Sequence, residues 1–166
     1  MQKNTTDAEK LWELIKSIEV AMLTTQEIDG TLVSRPMATQ QSEFDGHLWF
    51  FTEADSGKVD ELAHHKLVNI SYSQPDKSRF VSISGKAQTI HDNKKAKELW
   101  KPFMRAWFPN GVEDPRVALI RVDVQKAHYW DSPSSKVVEL IGFVKAIATG
   151  GEYHPKTSEG HVSLKP

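Results

Sequence analysis

The sequence predicts a mainly β, α+β domain: six or seven antiparallel strands curled into a barrel, with helices at the start, middle and end. Three observations predict it. Between Val20 and Trp130 most segments alternate apolar and polar residues with period two, the signature of half-buried strands. Asp-Gly pairs at Asp29-Gly30 and Asp45-Gly46 separate successive segments, as tight hairpin turns do. The chain of 166 residues has no internal repeat and no linker, which suits one core, and closing the strands into a barrel removes exposed edges.

Thr6-Asp7-Ala8-Glu9 fits a capping box, and Ala8, Leu11, Trp12, Ile15 and Ile18 recur at helical spacing, so a helix opens the chain. Val20–Thr25 and Thr31–Gln41 read as a hairpin, and Asp45-Gly46 reads as a second hairpin turn into His47–Thr52. Pro36 cannot donate to a ladder and is expected at a bulge or an edge. A polar loop, Glu53–Lys58, leads into helical pattern at Lys58–His65. Leu67–Ser73 and Phe80–His91 are strands joined by a turn at Pro75-Asp76, and Gly85 marks a bulge or a close backbone approach. Asp92 or Asn93 caps a helix through about Lys101, Trp107–Gly111 is a loop, and Val117–Val124 and His128–Trp130 are two further strands. Over Ser135–Ala148, Val138, Ile141 and Lys145, with Gly150 at the end, favour a helix. The domain is expected over residues 1–150, followed by a polar, loosely held tail over 151–166.

Several function classes are disfavoured at once. A formal charge of −1 gives no basic surplus for wrapping a polyanion. With no cysteine there are no disulfides, no thiol chemistry and no Cys-type zinc site. His64 and His65 are adjacent and point apart on a helix, and His154 and His161 have no ligand spacing that selects a metal, so no metal is expected. The N-terminus carries charges throughout and nothing approaches a membrane span, so the expected location is cytoplasmic. Nucleophile-elbow, Walker and Gly-x-Gly-x-x-Gly motifs are missing.

What remains is a set of anion-binding groups. Arg35 offers a forked guanidinium, Lys58 a point charge, and Thr52 and Ser56 hydroxyls, with Ser56 where a short helix should begin. With one hairpin between the strands of Arg35 and Thr52, the four groups are expected to converge on one anion.

Ser34-Arg35-Pro36-Met37, together with Trp49–Lys58, resembles the pyridoxamine 5′-phosphate oxidase-like family with the FMN-binding split barrel, closest to its general stress protein 26 branch. Ser84–Ala87, Trp107-Phe108-Pro109, Asp114-Pro115-Arg116 and Tyr129-Trp130-Asp131 agree with it, and the likeness extends over roughly residues 7–148. The resemblance implies a split β-barrel, a homodimer, and FMN (with FAD as the alternative) at the subunit interface. It implies a phosphate held by Arg35, Thr52, Ser56 and Lys58. Its ring would take backbone contacts from the Met37–Ala38 strand, beside Pro36, and from Phe50–Phe51, with Met37 on the ring edge, Trp130 from the partner subunit and Trp107 as a further lining residue. It also implies a flavin-dependent oxidoreductase acting on a small redox substrate, with NAD(P)H as candidate donor and no nucleic-acid or membrane partner. A carrier that binds flavin without turnover, or the same barrel binding deazaflavin or haem, are the alternatives. The sequence departs from the B6 oxidases themselves: Trp130 is followed by Asp131-Ser132-Pro133 rather than an Arg-x-His segment, Arg79-Phe80 stands where a glutamine is usual, and Gly57 replaces a basic residue. Pyridoxamine phosphate oxidation is therefore not expected.

Overall fold

The structure, a computed structural model, describes residues 6–39, 41–132 and 158–164. The opening helix α1 (Asp7–Ile15) begins as the capping box requires: Glu9 N–H donates to Thr6 Oγ1 at 3.2 Å and Thr6 N–H donates to Glu9 Oε2 at 2.8 Å. Its Leu11, Leu14 and Ile15 are buried against the barrel.

Among the described residues there are seven antiparallel strands: β1 (Val20–Gln26), β2 (Leu32–Ala38), β3 (His47–Glu53), β4 (Leu67–Gln74), β5 (Arg79–Ile90), β6 (Val117–Asp131) and β7 (Ser158–Ser163). Helix α2 (Gly57–His64) lies between β3 and β4, and α3 (Asn93–Leu99) comes after β5. The strand order is β2-β1-β4-β5-β6-β3, with β7 on β6. Both Asp-Gly turns have glycine at positive φ, 91° at Gly30 and 92° at Gly46, and each Asp carboxylate accepts from an amide two residues on (Thr31, 2.9 Å; His47, 3.0 Å). Pro36 lies on β2, an edge strand, where its missing donor is tolerated.

Three expectations need correction. The Asp45-Gly46 turn does not join neighbouring strands: β3 pairs with β6, and β2 and β3 stand at opposite ends of the strand order in a sheet that curls until they approach. Closure is incomplete there, and the barrel is split. Val117–Val124 and His128–Trp130 are one continuous strand, because the polar break at Gln125-Lys126 is absorbed as a bulge: Ser84 faces Lys126 while Gly85 faces Val124. Residues 158–163 of the expected tail form β7 and bury Val162 in the main core. The segment Ser135–Ala148, where a helix is expected, lies outside the described residues.

Inside the barrel, Leu23, Phe50, Ile70, Ile83, Ile120 and Val122 form the main core. A second cluster, Trp49, Phe51, Leu99, Met104, Phe108 and Leu119, packs outside it beneath α3. Gly85 is needed for close approach, since a Cβ there would lie 2.5 Å from the Asp123 carbonyl oxygen and 2.9 Å from Val122 Cγ1. Gly85→Ala should therefore destabilise the fold by about 1–2 kcal/mol, as overpacking does, read as a lower denaturation midpoint with an unchanged m-value.

Candidate functional site

The split between β2 and β3 opens into a cleft of about 350 Å³, within the range of about 300–1,000 Å³ usual for small-molecule sites. Pro36, Met37 and Ala38 of β2 form one lip, and Phe51, Thr52 and Glu53 of β3 the other. Lys58 of α2, with Met104, Trp107 and Phe108, completes the lining. Edge strands leave one row of backbone polar groups outside the ladder. On β3 that row is fixed by Gln41, whose side chain accepts from Trp49 N–H (3.0 Å) and donates to the His47 carbonyl (2.9 Å). Antiparallel alternation then turns the N–H and C=O of Phe51 towards the open edge, while those of Phe50 face β6.

The polar end of the cleft is built by the β3–α2 turn. Ser56 is the N-cap of α2, yet its hydroxyl makes no capping bond; it lies 3.1 Å from the hydroxyl of Thr52. The first amides of α2 have no intrahelical acceptor and carry the positive end of the helix dipole. Lys58, in the first turn, is half-buried and makes no hydrogen bond or ion pair among the described residues. Burial, and then the nearby guanidinium of Arg35, pull its pKa below the usual lysine value, against the opposing pull of Glu53 and Glu61. A desolvated ammonium with no partner among the described residues, two hydroxyls and a helix start are groups that suit a small anion.

Arg35 is placed differently from expectation. It faces into the end of the barrel and donates to both carboxylate oxygens of Glu61 (2.8 and 2.5 Å) and to Thr25 Oγ1 (2.7 Å). Thr25, fully buried, donates in turn to Glu61 at 2.5 Å. The guanidinium holds the Glu61 carboxyl below its ordinary pKa, and Glu61 raises that of Arg35. Arg35 thus stays on the same side of the barrel as Lys58, but most of its fork is already used. It locks β1, β2 and α2 together.

Of the other candidates, Pro36, Met37, Ala38, Phe51, Thr52, Lys58 and Trp107 line the cleft, and Ser56 adjoins it through Thr52. Phe50 does not: its ring is in the main core, 1% exposed. Trp130 is also outside this chain's cleft, on the outer face of β6 opposite Phe80. Sequence reasoning missed Glu61, Thr25, Glu53, Met104 and Phe108. Glu61 had one signal, its place one turn after Lys58 beside Leu62, on a face that the fold buries.

The segment behind the cleft also departs from expectation. Helix α3 ends at Leu99, not Lys101, because Pro102 forces Lys101 into an extended conformation (φ −123°, ψ 146°) and starts a 3₁₀ turn, Pro102–Ala106. Asp114 anchors the loop between this turn and β6, accepting from Arg116 (backbone 2.9 Å, Nη2 2.9 Å, Nε 3.2 Å) and Asn110 (3.1 Å). Those bonds from Arg116 bring the Asp114 carboxyl down to about 2.

Comparison with known proteins finds relatives of the whole fold. A curated protein of Neurospora crassa, Protein bli-3, is 33% identical over 150 residues, covering 84% of this chain and 72% of its own. The crystal structure of the general stress FMN/FAD binding protein from Xanthomonas citri is 34% identical, with a TM-score of 0.67 over 77% of this chain and 90% of that one. A putative general stress protein 26 from Jannaschia sp. CCS1 shares the fold at 21% identity, with a TM-score of 0.75 over 92% of this chain and 95% of that one. The sequence model for the family described as Pyridoxamine 5′-phosphate oxidase like matches residues 6–154. With its split barrel and the motif residues of β2, β3 and α2 in place, the chain belongs to the pyridoxamine 5′-phosphate oxidase-like family.

Proposed function

We propose that this protein is a homodimeric flavin-dependent oxidoreductase that holds FMN in the cleft between β2 and β3. The observation that carries the reading is Lys58: a partly desolvated cation without a partner among the described residues, beside the Thr52–Ser56 hydroxyl pair, in a cleft with apolar walls. Those groups suit a phosphomonoester followed by a flat ring. Lys58, Ser56, Thr52 and the first amides of α2 would hold the phosphate. Met37 and Phe51 would flank the ring, with the outward backbone groups of Phe51 available to its polar edge. Arg35 acts here chiefly as a positioning residue, adding charge at one remove while Glu61 holds it.

When bound, FMN supplies the capacity to accept and release a hydride equivalent; the chain's own residues bind, orient and exclude water. The binding half of the proposal is tested by titrating FMN with the purified protein and following quenching of flavin fluorescence. Saturable one-to-one quenching per chain is expected, and none at micromolar protein contradicts it. The X. citri protein's description as FMN/FAD binding supports flavin and leaves FAD as a competitor for the same titration. Rapid reduction by NADH or NADPH without oxygen would support turnover; a flavin that stays oxidised would instead favour a carrier.

A dimer is favoured by the outer face of the sheet. The register places Met22, Ser71, Ser82 and His128 in one row across β1, β4, β5 and β6, with Ser73, Phe80 and Trp130 in the next. Val20, Met22, Phe80 and Trp130 are all more than a third exposed, an apolar surface interleaved with small hydroxyls. In the proposed dimer this surface is covered and the partner subunit's Trp130 reaches the cleft. Phe80→Glu should then yield monomers by sedimentation and weaken FMN binding together; a dimer that survives it would be assembled elsewhere.

Oxidation of pyridoxamine phosphate by the usual route is disfavoured. Asp131 comes directly after Trp130, and its carboxylate is held by Arg79 (Nε–Oδ1 3.0 Å), so the described residues that follow Trp130, Asp131 and Ser132, offer no cation for a substrate phosphate.

A further inference from the structure

Beside the mouth of the cleft stands an exposed aromatic pair. Trp107 lines the cleft with part of its ring but is 59% exposed, and Phe103, 51% exposed, meets it edge to face with centroids 6.3 Å apart. Two large aromatics beside each other in water are unusual on a well-packed domain. Their backbone is firmly held. Met104 and Phe108, between and after them, are buried, and Phe108 N–H donates to the Met104 carbonyl at 3.0 Å. Gly111 N–H donates to the Phe108 carbonyl at 2.9 Å, and Ala54 N–H donates to the Arg116 carbonyl at 2.8 Å, tying this region to the start of the β3–α2 turn. The rings are therefore presented on a fixed support beside the cleft mouth.

The same segment is one-sided in charge. From Leu99 to Gly111 it carries Lys101 and Arg105 and no acidic residue, and both cations are exposed. Neither makes an ion pair or side-chain hydrogen bond among the described residues, whereas Lys97 just before them is paired with Glu113 at 2.5 Å. A rigid indole braced by a phenyl ring, flanked by two free cations, complements a flat ring that carries negative charge.

We propose that Phe103, Trp107 and Arg105 form the substrate shelf of this cleft and that the substrate is a planar aromatic anion, stacked on the Trp107 indole with its acidic group towards Arg105. That such a molecule is a redox substrate rests on the flavin reading; the shelf itself stands on the residues just named.

The test is calorimetric titration of the full-length, FMN-loaded protein with three probes: 2-naphthoate, neutral 2-naphthylmethanol and non-planar cyclohexanecarboxylate. Naphthoate should bind most tightly. Trp107→Leu should weaken it roughly two- to tenfold, the range of one aromatic contact. Arg105→Gln should reduce its advantage over the neutral alcohol with FMN affinity unchanged, and subunit mass should be unchanged in both variants. Equal naphthoate affinity in wild type and Trp107→Leu overturns the proposal. So does displacement of naphthoate by FMN, which would place the probe in the inner cleft, or loss of the dimer in Trp107→Leu, which would make the aromatic pair a subunit contact. If the protein takes up no FMN, the same titrations are run on it as purified; Trp107-dependent binding of naphthoate then upholds the shelf while the flavin reading alone fails.

Discussion

Replacing Lys58 with methionine should weaken FMN binding roughly 10- to 100-fold, the factor expected for one charge-assisted contact worth about 1.5–3 kcal/mol. Three features make this the largest expected effect on binding. The ammonium is the one cation lining the cleft among the described residues, it is partly desolvated, and it has no protein partner to redirect it. Methionine keeps the length and apolar character of the stem, so the helix and the packing should survive. Thermal stability should be unchanged or slightly higher, because an unpaired cation leaves a half-buried position. Riboflavin, which lacks the phosphate, separates charge from shape: its affinity should hardly change in Lys58→Met. The pH dependence has a definite sign. Burial lowers the lysine pKa, so the ammonium is lost earlier on raising pH than for an ordinary lysine. FMN affinity should therefore fall as pH rises through that lowered value, and the fall should vanish in Lys58→Met. A variant that binds FMN as wild type does would show that the phosphate lies elsewhere.

The second large effect is on stability. Glu61 is 8% exposed and accepts from both Arg35 and Thr25, while Arg35 has only about a quarter of its side chain exposed (26%). Glu61→Leu removes the carboxylate and leaves a guanidinium and a buried hydroxyl without their shared acceptor. The expected cost is about 3 kcal/mol, at the lower end for breaking a buried pair because Arg35 keeps some solvent. That corresponds to a fall in Tm of roughly 6–12 °C for a chain of this size. Arg35 holds the Glu61 carboxyl below its unfolded value of about 4.3. A depressed carboxylate stabilises the fold fully above the unfolded pKa and loses that contribution as pH falls through the folded one. The difference between wild type and Glu61→Leu should thus be complete at neutral pH and narrow only in acid, below roughly pH 4. Chemical denaturation at pH 7 and at pH 3 measures both limbs. A constant difference would mean that Glu61 contributes through packing rather than charge.

Local chemistry makes much of this fold legible from the chain alone. The Thr6 capping box, the Asp29-Gly30 and Asp45-Gly46 turns, Pro36 on an edge and the close approach at Gly85 each arise from one residue's stereochemistry, and each is found. Pairing is less legible. His47–Glu53 comes after Leu32–Ala38 in sequence, but strand neighbours are chosen by non-local packing, and β3 lies against β6 instead. That difference matters for the site: β2 and β3, the strands that carry Arg35 and Thr52, are opposite lips of a gap rather than ladder partners. β7 is illegible for a related reason. Ser158–Ser163 has a single large apolar residue, Val162, and becomes a strand only because β6 extends beyond β3 and offers it an edge. At the site, the types and positions of Thr52, Ser56 and Lys58 can be read from the loop and helix start. The diversion of Arg35 to Glu61 cannot, since it depends on how α2 packs over the end of the barrel.

Native mass spectrometry of the purified protein after incubation with FMN tests the central claim most directly, because it weighs subunits and ligand in the same ion. The account predicts a dominant species of two chains carrying two FMN molecules. It also predicts that Lys58→Met retains the two-chain mass but sheds most of the FMN. A wild-type spectrum of bare chains, with FMN in excess and the fold intact, would contradict it.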